Sequence, residues 1–271
     1  MQNLRMYCIC IHNEILPKVK KLNYIPVGLG DDDFNDEWIR DNSGDHISEK
    51  NKFYGEYTFH YWLWKNAINK INTNDWIGFC AYRRFWLNEK DNQIKNLKFQ
   101  DKILNKIPKI WSNYQVILGD QIYVDDIKWS KILKYGKISL IRNPKSILKK
   151  KRNIKFHFDM FHGNGNLDKA INVLNENDRE DFRNFVDSYK SYNQGNMFIC
   201  KSKELMIKYY ETIFEWLDEC EKIFGFDLDN YGKIRIYGFL AERFLPFWFK
   251  KYSKYLEWPI IFNDLRKENL D

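Results

Sequence analysis

The sequence predicts an α/β fold: a mostly parallel central sheet flanked by helices, with a helical carboxyl-terminal part. Three observations carry that expectation. Residues 76–82 and residues 5–12 are short, nearly continuous apolar runs, the pattern of strands buried on both faces. Tyr54, Tyr57, Tyr61, Trp64, Ile68 and Ile71 recur at steps of three and four, which puts them on one face of a helix. That helix ends at Asn72-Thr73-Asn74 and a strand follows at once, the alternation that builds a parallel sheet.

In chain order, residues 5–12 predict the first strand, with His12-Asn13-Glu14 at its carboxyl end. Residues 24–30 predict a short extended piece with two glycines, ending in Asp31-Asp32-Asp33. It lacks the GxGxxG spacing of a dinucleotide site. The striped helix is expected to start near Ser48 or Glu49, Ser48 serving as N-cap and Glu49 complementing the helix dipole. Residues 88–112 read as loop and a short helix, and 114–120 as a strand. Residues 145–155 are a basic run, a loop or a solvated helix face. Residues 156–165 crowd His157, Asp159 and His162 against Gly163 and Gly165. Helices are expected over 168–175 and 178–189, and a turn then a short strand over 193–200. Leu205, Tyr209, Ile213, Trp216, Cys220 and Phe224 predict an amphipathic helix stopped by Gly225. Residues 236–252 predict a last apolar helix, kinked or split at Pro246.

Composition narrows the classes. Of 271 residues, 44% are hydrophobic, enough for a sizeable core and against disorder. Aromatics make up 17%; most are expected to fill the core, though such rings also stack on sugars or bases. A net charge of +7 suits nucleic acid, an anionic membrane surface or a phosphorylated substrate. No nucleic-acid-binding signature accompanies it, so nucleic acid is not an expected partner. The five cysteines show neither CxxC nor zinc-like spacing with histidine, which predicts buried free thiols in a reducing cytoplasm. No signal peptide or membrane span is read. The expected location is the cytoplasm, at most peripheral on the inner face of the plasma membrane. Phe247-Trp248-Phe249 beside Lys250-Lys251 is the stretch expected to touch lipid headgroups.

Arg83 and Arg84 stand where the 76–82 strand should emerge. Ligands of open α/β sheets bind beyond the carboxyl ends of the strands, and paired guanidiniums there suit a diphosphate. The plainer reading is a strand end with two solvated arginines.

The segments together resemble a family of bacterial glycosyltransferases from capsule and exopolysaccharide clusters, long catalogued as a domain of unknown function and related to galactofuranosyltransferase domains. The resemblance rests on Gly44-Asp45-His46-Ile47-Ser48-Glu49-Lys50-Asn51, Tyr61-Trp62-Leu63-Trp64-Lys65-Asn66, Ile77-Gly78, Tyr82-Arg83-Arg84-Phe85, the stretch 162–168, Asn196-Met197-Phe198-Ile199 and Gly238-Phe239-Leu240-Ala241-Glu242-Arg243. These blocks fall in family order from near residue 5 to near residue 250. Where His-Tyr-Arg-Arg is expected, the chain has Ala81-Tyr82-Arg83-Arg84, which removes an imidazole that would stand near phosphate or sugar.

The resemblance implies a GT-A-like (Rossmann-like) single domain, 1–271, with a nucleotide-sugar half at about 1–125 and an acceptor and catalytic half at about 126–271. It implies a hexosyltransferase acting in surface polysaccharide synthesis. The donor would be a nucleotide-sugar, uridine-linked, with UDP-galactofuranose as one option. The acceptor would be a glycan or a polyprenyl-linked glycan. Expected donor-binding residues are His12, Asp45, Ser48, Lys50, Asn51, Tyr82, Arg83, Arg84, Asn196 and Arg243. Candidate catalytic groups are Asp159, Asp168 and Glu242, with His162 as orienter or alternative base. Some have a structural alternative: Glu242-Arg243 as an ion pair, Asp168 as a helix-start acid, His12 and Asn196 as partners of strand-end backbone. Many GT-A enzymes hold Mn²⁺ or Mg²⁺ at an Asp-x-Asp after the central strand. Here arginines occupy that place, so no cofactor is firmly expected and metal is disfavoured. Asp31-Asp32-Asp33 and Asp227-Leu228-Asp229 match the tripeptide but follow other segments. The competing reading is a basic nucleic-acid-binding or membrane-surface scaffold without catalysis.

Overall fold

A strand whose residues are apolar on both faces needs cover on both sides, and β1 (Leu4–Cys10) has it. Tyr7 and Ile9 point into one hydrophobic cluster, while Met6, Cys8 and Cys10 point into another. The computed structural model describes residues 3–89, 97–126, 128–142, 144–148 and 152–270. Around β1 the main sheet runs in the order β10-β6-β9-β4-β1-β2-β3. Its members are β2 (Ile25–Gly28), β3 (Ile39–Arg40), β4 (Trp76–Ala81), β6 (Val116–Gly119), β9 (Phe198–Cys200) and β10 (Tyr255–Trp258). β3, β2, β1 and β4 are mutually parallel, with Cys8 opposite Cys80 and Ile9 opposite Ala81. β9 is antiparallel to both β4 and β6, and β10 is parallel to β6. One sheet therefore takes strands from both halves of the chain. β5 (Arg84–Trp86) and β11 (Ile260–Phe262) extend it beside β4, and β7 (Gln121–Tyr123) with β8 (Ser191–Asn193) forms a separate ribbon.

The helices are α1 (Leu16–Lys21), α2 (Asn51–Tyr54), α3 (Tyr57–Trp62), α4 (Phe99–Lys102), α5 (Trp129–Tyr135), α6 (Lys137–Arg142), α7 (Ile154–His162), α8 (Asn166–Asn172), α9 (Glu176–Ser188), α10 (Lys203–Phe224), α11 (Tyr231–Ile234) and α12 (Ile236–Tyr252). Ser202 caps α10 by accepting from the Leu205 amide, and Gly225 closes it at φ +58°, as the apolar stripe and that glycine predict. Its apolar face joins α12 in the larger cluster, which contains Tyr209, Ile213, Trp216 and Phe249. All five cysteines are free and buried.

The structure departs from the sequence expectations at several places. The helix predicted from residue 48 to 71 is broken into a 3-10 turn (Ser48–Lys50), α2, α3, a π-turn (Leu63–Ala67) and a second 3-10 turn (Ile68–Lys70). Gly55 makes the main break: its φ is +59°, and a β-carbon there would meet the Arg235 guanidinium. Ser48 consequently lies inside the first 3-10 turn and caps nothing; its Oγ is 3.0 Å from His46 Nδ1. Beyond the end of β4, where the arginines are expected, the chain turns at Tyr82-Arg83 and Arg84 opens a further strand, β5, pairing with Ala81. α12 is continuous through Pro246 rather than split there, and most of its residues are buried. Phe247, Trp248 and Phe249 are buried in the core, so they cannot meet lipid headgroups.

The basic run is heterogeneous. Lys155 Nζ lies 2.7 Å from Asp168, Arg152 is buried and Lys145 is exposed. Residues 149–151 lie outside the described residues, as do 90–96 of the stretch expected to be loop and short helix.

Candidate active site

Parallel strands end on one side of the sheet, and that is where loops converge. A cleft of about 470 Å³ opens beyond the carboxyl ends of β1 and β4. Ile9 and Ile11 follow β1 into it, and Ala81, Tyr82, Arg83 and Arg84 come from the β4–β5 hairpin. Asn51, Gly55 and Glu56 enter from the α2–α3 break, and Gly195, Asn196 and Met197 from the turn before β9. Tyr231 comes from α11, Arg235 from the junction between α11 and α12, Gly238, Phe239 and Glu242 from α12, and Phe262 from β11.

The polar groups are held from behind. Glu242 Oε1 accepts from the Gly195 amide at 2.7 Å, and the other carboxylate oxygen pairs with Arg243. Gly195 has φ +93°, and a β-carbon there would lie 2.9 Å from Arg84 Nη1. One glycine thus brings a guanidinium and a carboxylate to the same corner of the cleft. Across it, Asn196 Nδ2 donates to Glu56 Oε1 at 2.9 Å and to the Gly238 carbonyl at 3.2 Å. Arg235 lies 3.5 Å from the other oxygen of Glu56. Arg83 is exposed and stacks on Tyr82, its guanidinium carbon 4.9 Å from the ring centre. Neither Arg83 nor Arg84 ion-pairs with a carboxylate among the described residues. Among the described residues, the cleft lining therefore includes two guanidiniums with no carboxylate partner and two anchored carboxylates.

Of the residues expected at the donor, Asn51, Tyr82, Arg83, Arg84 and Asn196 line this cleft, and Glu242 is the catalytic candidate that does. His12 lies beside it, its ring edge-on to Tyr82 at 5.2 Å. The others sit elsewhere. Both Glu221 oxygens accept from Lys50 Nζ, at 2.7 and 2.9 Å. Asp45 accepts from Tyr61 at 3.1 Å. Arg243 is buried behind Glu242, 4.4 Å over the Tyr192 ring and 3.3 Å from His157 Nδ1. It anchors a cleft residue rather than reaching a ligand. Asp168 is engaged by Lys155 and Arg183, and neither it nor Asp159 lines the cleft. His162 is buried, donates to the Gly232 carbonyl at 2.9 Å and stacks on Phe239 at 4.0 Å. Burial and Arg243 hold its pKa well below the usual imidazole range, so it is neutral at pH 7 and shapes the cleft wall.

Glu56 and Arg235 do not stand out in the sequence pattern. Both lie at the Gly55 break, inside or opposite what the periodicity reads as continuous helix. The available signal was Gly55 itself, a glycine within a helical pattern.

The hairpin after β4 carries Arg83 and Arg84 where many GT-A enzymes place a metal-binding Asp-x-Asp. Among the described residues, His12, Glu14 and Asp32 form the one group whose ligand atoms lie within 4.8 Å of one another. Asp32 already accepts from the Asn13 amide at 2.7 Å, and the Arg266 guanidinium stands 3.3 Å from His12 Nε2. That neighbour opposes a cation.

The sheet, with its parallel centre, reversed β9 and flanking helices, is a GT-A-like α/β architecture. Residues 5–254 match the family described as a domain of unknown function, DUF4422, and the chain belongs to it. Among solved structures it is similar to the WbbM bifunctional glycosyltransferase in its apo form, at 19% identity and a TM-score of 0.62. That match covers 96% of this chain and 45% of the other, so the chain spans less than half of that protein. A search of the curated proteins finds no match.

Proposed function

We propose that the chain is a glycosyltransferase of the hexosyltransferase type that moves a sugar from a nucleotide-sugar donor to an acceptor hydroxyl. The observation that carries this reading is the corner at Gly195, where uncommitted Arg84 and anchored Glu242 meet beyond the ends of parallel strands. Arg84, with Arg83, stabilises the diphosphate as the bond from sugar C1 to phosphate oxygen breaks. The acceptor oxygen bonds to C1, and its proton passes to a carboxylate. Glu242 takes that role, and Glu56 orients the acceptor. Tyr231, Phe239 and Phe262 offer rings for sugar or base. The charge stabilisation comes from side chains, so no metal is required.

A uridine-linked donor, with UDP-galactofuranose among the options, and a glycan or polyprenyl-linked acceptor in surface polysaccharide synthesis rest on the ordered sequence blocks. The fold likeness to a glycosyltransferase and the placement of the Tyr82-Arg83-Arg84 block in the cleft support the reading. The test is a donor screen, with products read by mass spectrometry against candidate acceptors, with and without EDTA. Transfer or slow hydrolysis of at least one nucleotide-sugar that survives EDTA is expected. Folded protein that turns over no donor under either condition sinks the assignment.

A further inference from the structure

We infer that the face formed by α5, α6 and the 3-10 turn Pro144–Ile147 docks on an anionic lipid bilayer. The inference stands without any reading of the cleft. From residue 128 to residue 158 the chain carries eleven Lys or Arg and no Asp or Glu. The fold turns part of this stretch inward. Ser139 is buried and accepts from Asn164 Nδ2 at 3.0 Å, and Leu140 packs on Phe156 and Met160 of α7. Their neighbours therefore point out. Ile138 is 62% exposed and Ile141 80%, with Tyr135 at 50% and Leu148 at 53%. Lys131, Lys134, Lys137 and Lys145 are exposed around them.

Large apolar side chains held in water among exposed lysines are costly unless something covers them. The covering surface must be apolar beneath and negative above. Anionic headgroups over acyl chains meet both demands, because lysines gain attraction at the surface while short apolar side chains enter the interface. Nucleic acid meets only the second: its exposed bases are held by stacking on planar side chains, and isoleucine and leucine offer none. No helix among the described residues is long and apolar enough to cross a membrane, so the contact is with the surface.

Sedimentation with vesicles tests this using the full chain. Vesicles of phosphatidylglycerol and phosphatidylcholine should carry the protein down, and phosphatidylcholine alone should not. Added salt should weaken the binding. The double variant I138D/I141D should partition about tenfold or more weakly. Both positions are exposed, so its fold should survive, as circular dichroism and Tm will report. K131E/K134E/K137E is the second variant, and it should abolish the preference for anionic vesicles. The inference is overturned by absence of vesicle binding, by equal binding to neutral vesicles, or by wild-type partition of both variants. Retention of the chain by an RNA homopolymer at a salt concentration where vesicles fail to hold it also overturns it.

Discussion

Replacing Arg84 with alanine is the sharpest perturbation of the cleft. Among the described residues Arg84 has no carboxylate partner, and its tip stands beside Gly195, where Glu242 is anchored. Truncation therefore strands no buried charge, and Tm should change by no more than about 2 °C, a shift of under about 1 kcal/mol. Catalysis should respond differently. Charge-assisted hydrogen bonds are worth about 1.5–3 kcal/mol each. Two of them to a half-exposed diphosphate, discounted for solvent screening, total about 3 kcal/mol, or roughly a 150-fold loss in kcat/KM. Arg84→Lys keeps the charge but loses the fork, and should recover about tenfold. The assay is initial-rate transfer with the donor found by screening, alongside Tm. Turnover of the alanine variant within about threefold of wild type refutes the diphosphate role.

Glu242→Gln should keep the bond from the Gly195 amide while removing the base, lowering kcat about 10²–10⁴-fold with donor affinity little changed. It also leaves buried Arg243 without its counter-charge, at about 3 kcal/mol in stability, measured by chemical denaturation. Gly195→Ala forces a side chain into φ +93° against Arg84; a cost of about 2 kcal/mol, near 5 °C in Tm, is expected. Stability should also fall in acid. His60 and His157 are held down at about 3 by burial, from an ordinary 6.5. Below pH 6.5 the unfolded chain therefore binds protons that the folded chain refuses. Each contributes stability above that pH, and each loses about 2 kcal/mol by about pH 5. Urea titrations at neutral pH and about pH 5 check this. An asparagine in place of His157 should lessen the dependence.

The central sheet was legible because β1 and β4 advertise two-sided burial in their own residues, and α10 because its stripe, cap and stop agree. The broken helix after residue 48 was not. Its periodicity survives the break, since Tyr54, Tyr57 and Ile68 all still face the core, and only Gly55 marks the change of direction. The short strands β7, β8, β10 and β11 exist through pairing with distant partners, which local pattern does not encode. In the cleft, Arg83, Arg84 and Glu242 could be named from family-like blocks. Arg243 and Lys50 share those blocks, but their partners, Tyr192 and Glu221, come from elsewhere in the chain and turn them into supports. Glu56 and Arg235 required the fold.

The central claim is that this cleft binds a nucleoside diphosphate through Arg83 and Arg84, without metal. Isothermal titration of the full chain with UDP in EDTA tests it most directly, repeated on R83A/R84A. Saturable binding by the wild type that the double variant loses is the expected result. Binding that appears only when Mn²⁺ or Mg²⁺ is added, or that the double variant retains unchanged, contradicts it.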